Sequence, residues 1–112
     1  MLDNYLLPGL LLVYVAWRVL SPFLARRRIP SLLQEGAQVV DVRTPVEFAA
    51  GHAPGSLNIP LQDINTGTKD LDPERWVIVC CASGTRSGIA RWRLRRQGFS
   101  RVLNAGSWRN LP

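Results

Sequence analysis

Trp76-Val77-Ile78-Val79-Cys80-Cys81-Ala82-Ser83-Gly84-Thr85-Arg86-Ser87 reads as a strand, a tight loop and the opening of a helix. Residues 76–80 are apolar without alternation, the pattern of a strand covered on both faces. A helix is expected from about Arg86 to Gln97, with Gly98 as its stop. Cys81 therefore stands at the carboxyl end of a buried strand, where ligand sites of open α/β sheets lie. Amides of such a loop and of the first helical turn point inward and form a small anion pocket. That field lowers the pKa of a thiol. At an ordinary pKa near 8.5, about 3% of a cysteine is thiolate at pH 7, and a fall of two units raises this to about three quarters. No histidine is near in sequence, so activation falls to the amides and Arg86. The blander reading of the same residues is a buried cysteine followed by a plain turn.

On either side of this stretch, strands and helices alternate. Val39-Val40-Asp41-Val42 is a compact apolar strand with one acid, and Ser56-Leu57-Asn58-Ile59 is another, ended by Pro60. Thr44-Pro45-Val46-Glu47 carries three agreeing helix-start signals: Thr at the cap, Pro at the first position and Glu three after the cap. A short helical stretch, Leu32-Leu33-Gln34, is ended by Gly36, residues 61–75 form a polar connection, and Arg101-Val102-Leu103-Asn104 is the last strand. This order predicts an α/β fold with a mainly parallel central sheet flanked by helices.

The first thirty residues are of a different kind. Residues 5–25, YLLPGLLLVYVAWRVLSPFLA, carry a single charge, Arg18, and would form a helix about 31 Å long, the thickness of a bilayer's hydrocarbon. Arg26-Arg27-Arg28 follow. A signal peptide would have a basic start and a small-x-small cleavage site, and neither is present. An interfacial helix would accommodate Arg18 better, but its polar face would be nearly empty. The expectation is a single-pass anchor over residues 1–28, ahead of a domain over residues 29–112. The three arginines then place that domain on the cytoplasmic side of a cell's inner membrane.

Composition agrees with this division. The 112 residues carry 14 Lys+Arg and 8 Asp+Glu, a net charge of +6, and 46% are apolar, which excludes disorder. The two cysteines are adjacent, so a bridge between them would be strained, and reduced thiols in a reducing compartment are expected. On the 86–97 helix, Ala90 and Leu94 form a narrow core stripe, while Arg91, Arg93, Arg95, Arg96 and Trp92 make a basic outer face. That face is either simply solvated or rests on anionic lipid headgroups. Nucleic acid is not expected, since no fold for binding it is recognisable.

Asp41-Val42-Arg43, Glu47-Phe48, the run Gly51-His52-Ala53-Pro54-Gly55-Ser56-Leu57-Asn58-Ile59-Pro60, the Cys81–Ser87 loop and Gly98-Phe99 together resemble the rhodanese homology domain in order and spacing. The resemblance covers roughly residues 30–112. The ending Asn104-Ala105-Gly106-Ser107-Trp108 is similar to that of small single-domain members of the phage-shock-protein-E type. The resemblance implies a sulfurtransferase without cofactor or metal. Cys81 would carry a sulfane sulfur as a persulfide, passing it from a small donor such as thiosulfate to a thiol or cyanide. It maps the active-site loop onto Ala82, Ser83, Gly84, Thr85 and Arg86. Supporting roles fall to Asp41, which would anchor Arg86 or loop amides, to Arg43 and Glu47, which would pair with neighbours, and to Ser87. His52 is expected to be a turn residue and Cys80 a core residue facing away from Cys81. Family members that use thiosulfate well often carry extra cations in the loop, whereas Ala82, Ser83 and Thr85 are neutral. The rival reading is a non-catalytic binding or redox-sensing module at the membrane. No partner protein is indicated.

Overall fold

A computed structural model describes residues 3–112. Helix α1 (Asp3–Arg27) is followed at once by the short α2 (Ile29–Gln34). Strand β1 (Gln38–Asp41), helix α3 (Pro45–Ala50), strand β2 (Leu57–Asn58), strand β3 (Val77–Cys81), helix α4 (Thr85–Arg96) and strand β4 (Val102–Ser107) complete the domain, with 3₁₀ turns at Leu61–Asp63 and Trp108–Asn110. The sheet order is β2-β1-β3-β4, and every pairing is parallel. The sheet is thus wholly rather than mainly parallel.

Strand β3 lies between β1 and β4, and each of its five residues is buried. Because side chains alternate along a strand, it divides the core in two. Val77, Val79 and Cys81 pack with Val40, Ala90, Leu94 and Phe99 on the α4 side. Ile78 and Cys80 pack with Ile29, Leu32, Leu103 and Leu111 on the α2 side. The two adjacent cysteines therefore face opposite layers, as the strand period requires.

Two strands differ in length from the sequence reading. β2 keeps only Leu57–Asn58, while β4 runs on to Ser107 because a bulge between Val79 and Cys80 of β3 lets Ala105 be skipped in register. Gly106, at φ 77, continues the strand beyond that irregularity.

Helix α3 begins as its sequence dictates. The Thr44 hydroxyl accepts from the Glu47 amide, and the Glu47 carboxylate accepts from the Thr44 amide at 3.1 Å, a complete capping box. Helix α1 leaves the domain beside β4, touching the core through Ala25. Its apolar side chains, among them Leu7, Leu12 and Val13, are exposed along its length. Asn4–Gln34 is long and apolar enough to cross a membrane, the window that qualifies is not buried against the domain, and a signal sequence would have the same character.

Candidate active site

The loop between β3 and α4 turns sharply at Gly84, whose φ of 108 lies in the left-handed region. A Cβ there would stand 3.3 Å from the Gly106 Cα, so two glycine backbones meet at this point. The turn brings the Gly84 amide to 2.9 Å from the Cys81 Sγ, and the Ser87 amide lies at 3.4 Å. Burial, with Cys81 only 1% exposed, works against the charged form of the thiol. The Ser87 hydroxyl at 3.3 Å and the loop amides outweigh that cost and hold its pKa below the ordinary thiol value. Cys80, on the opposite face, has no such ring; burial first, then the nearby Asp41 carboxylate, push it up to about 12.

The charged residues pair differently from the sequence expectation. Asp41 does not reach Arg86 or the loop amides. It is fully buried and holds Arg43, whose Nε lies 3.0 Å from each carboxylate oxygen and whose second terminal nitrogen lies at 2.7 Å. Arg43 also donates to the Gly51 carbonyl at 2.6 Å and lies 4.8 Å from the centre of the Trp108 ring. The reason is local: residue 43 is two positions beyond residue 41, on the same side of the extended chain. Arg86 instead forms a two-pronged pair with Glu47, at 2.6 and 3.0 Å. That pair, then the Thr44 amide, lowers the Glu47 carboxyl to about 2. Arg86 therefore ties α4 to α3 rather than activating the sulfur, and the thiol's stabilisation comes from amides and Ser87.

Ala82, Ser83 and Thr85 form the exposed rim of the loop, and Ser87 is buried beneath it. His52 stacks on Phe48, with ring centres 3.7 Å apart. Among the described residues no cluster of side chains could hold a metal ion.

Asn104 is a site residue that the sequence marks only as the end of a strand. Its Oδ1 accepts from the Gly106 amide at 2.9 Å and from the Ser87 hydroxyl at 2.7 Å, and its Nδ2 donates to the Gly84 carbonyl at 3.1 Å. One side chain thus fixes both the turn of the loop and the hydroxyl beside the sulfur. The signal was present in Asn104-Ala105-Gly106, but only as a shared ending.

A cysteine at the end of a central parallel strand, ringed by loop amides, is the arrangement expected of the resemblance. The rhodanese-like domain family matches residues 28–110. The chain belongs to the rhodanese-like family. It is 40% identical over 70 residues to a sulfurtransferase of Allochromatium vinosum, covering 62% of this chain and 65% of that one, so the chain spans just under two thirds of that relative. It is 32% identical over 74 residues to the thiosulfate sulfurtransferase PspE of Escherichia coli, covering 64% and 71%. A solved rhodanese from E. coli, described with anions, superposes with a TM-score of 0.62 at 32% identity, over 68% of this chain and 94% of that one. The phage-shock-protein-E resemblance and the α/β rhodanese fold both agree with these matches.

Proposed function

We propose that this protein is a rhodanese-type sulfurtransferase held at a membrane by residues 1–28, with Cys81 as the residue that carries sulfur. The observation that supports it is the set of hydrogen bonds around the Cys81 Sγ, from the Gly84 amide at 2.9 Å and from the amide and hydroxyl of Ser87 at 3.4 and 3.3 Å. The Cys81 thiolate attacks the outer sulfur of thiosulfate, the S–S bond of the donor breaks, and sulfite leaves with the electron pair. The new outer sulfur of the Cys81 persulfide sits where the loop amides converge. An acceptor thiolate or cyanide then attacks that sulfur, and Cys81 leaves as thiolate, ready for the next cycle. Asp41, Arg43, Glu47, Arg86 and Asn104 serve by holding the loop and its neighbours in place.

Mass spectrometry of the full chain after incubation with thiosulfate tests the assignment. A gain of about 32 Da on the Cys81 peptide, roughly one sulfur atom, is expected, and none in Cys81→Ser. Sulfur found on Cys80 would overturn it.

A further inference from the structure

A cleft opens where helix α1 runs past the domain. It has a volume of about 1120 Å³ and is walled on one side by the last part of α1 and on the other by residues 83–85, α4 and β4. Three arginines line it, Arg18 and Arg26 from α1 and Arg91 from α4, and no carboxylate does among the described residues. None of the three is in an ion pair among the described residues, and Arg91 donates its Nε to the Val102 carbonyl. Trp17, Ile89 and Trp92 are exposed and supply an apolar wall. The Arg96 guanidinium lies 4.8 Å from the centre of the Trp92 ring, which extends the positive charge along the outer edge of α4.

The level of this cleft follows from the length of α1. About 20 helical residues cross a bilayer's hydrocarbon, so a crossing that begins at Tyr5 ends near Ala25. Trp17 and Arg18 then stand about 10–12 Å short of that end, at the depth of the acyl chains, and Arg26 stands among the headgroups. A cation at such a depth is costly unless it faces a polar cavity or a counter-ion. The cleft gives Arg18 the cavity, but no described residue gives it the counter-ion. The missing anion must enter from the membrane side. A phospholipid phosphate does so: it accepts from several guanidinium donors at once, and its acyl chains continue along the apolar surface of α1. The two tryptophans add the amphipathic rings that suit a membrane interface.

We propose that the cleft between α1 and α4 binds the headgroup of an anionic phospholipid, and that this lipid seats the domain against the membrane. Arg18, Arg26 and Arg91 hold the phosphate, while Trp17, Ile89 and Trp92 lie against the glycerol and the first methylenes of the chains. A zwitterionic lipid has the same phosphate but brings its own cation into a cleft that already holds three, so net-negative headgroups are selected. Residues 83–85 share the wall of the cleft, so the bound lipid holds the active-site loop close to the headgroups. The site rests on the membrane reading of residues 1–28 above and is independent of the sulfur chemistry.

The test places the full chain in nanodiscs of mixed phosphatidylcholine and phosphatidylglycerol and reads the lipids retained on the protein by native mass spectrometry. The wild type should retain phosphatidylglycerol over phosphatidylcholine by about tenfold or more relative to the bulk mixture. Arg18→Gln/Arg26→Gln should lose about tenfold of that preference, and Arg91→Gln, on the opposite wall, should lower it severalfold by itself. Arg18→Lys/Arg26→Lys should keep most of it. Arg27→Gln/Arg95→Gln removes the same charge from residues that do not line the cleft and should also keep most of it. An equal loss in this last variant would overturn the proposal, because the preference would then belong to general surface charge. So would a wild type without preference, or displacement of the lipid by excess inorganic phosphate, which assigns the cleft to a soluble anion. Failure of the full chain to float with vesicles of either lipid would instead remove the membrane reading of residues 1–28, and the site with it.

Discussion

Cys80 and Cys81 share a strand and differ in almost everything else. Cys81 is ringed by donors that lower its pKa, while burial and Asp41 push Cys80 up to about 12. At pH 7 the thiolate population therefore belongs to Cys81. Its alkylation rate should rise with pH about a midpoint below the ordinary thiol value near 8.5, and Cys80 should stay unlabelled. Ser87 is the lever. Its hydroxyl has one proton and two acceptors within reach, the sulfur at 3.3 Å and Asn104 Oδ1 at 2.7 Å. Ser87→Ala removes a donor from the charged form only, so the midpoint should move up and labelling at pH 7 should slow, about tenfold for each unit. A stopped-flow pH profile reads this directly, and a midpoint that fell would contradict the role given to the hydroxyl. The buried pair nearby acts on stability rather than reactivity. Asp41→Ala leaves Arg43, only 5% exposed, without its counter-charge, and should cost about 3–5 kcal/mol in denaturant unfolding.

At the scale of elements, the short α3 and the loop were legible because their signals are local. Thr44, Pro45 and Glu47 carry a capping box whatever the surroundings, and the structure forms it. The partners of Asp41 and Arg86 were not legible, because a guanidinium reaches several carboxylates and only tertiary placement chooses among them. Asn104 was hidden for the same reason: its three hydrogen bonds reach Gly84, Ser87 and Gly106, up to twenty residues away. Glu47 has two duties, as cap partner and as the Arg86 partner. Its depressed carboxyl makes the ion pair a contribution present above the usual glutamate range and lost as pH falls toward about 2. The loop itself sets what the site excludes. Four residues, Ala82 to Thr85, lie between Cys81 and Arg86, and Arg86 faces Glu47. Amides that converge on one sulfur cannot each reach an oxygen of a tetrahedral oxyanion, and each unpaired buried donor costs about 1–3 kcal/mol. No aryl phosphate hydrolysis and no arsenate reduction are expected. Measurable phosphatase turnover would contradict this reading of the loop.

At the scale of the molecule, the division between helix and domain follows from what each buries. The domain closes its own two-layered core around β3, while α1 presents leucines and valines that no described residue covers. An apolar surface that large is stable only against lipid or another apolar partner. With Arg26, Arg27 and Arg28 following the apolar run, a reporter fused after Pro112 should be active in the cytoplasm and silent outside it. The position of the cut between the two parts can be argued from contacts. Arg28 lies 4.8 Å from the centre of the Trp76 ring, Ile29 is buried, and Ala25 packs against the α2-side core, so a cut after residue 28 would remove two of these three contacts. Removal of residues 1–24 spares all of them. That shortened protein should be soluble without detergent and unfold in one cooperative transition, and its Cys81 should react with iodoacetamide at the full-chain rate. Loss of thiol reactivity in the shortened protein would show that α1 holds the loop in shape, and would contradict the division drawn here between a self-contained domain and the helix that precedes it.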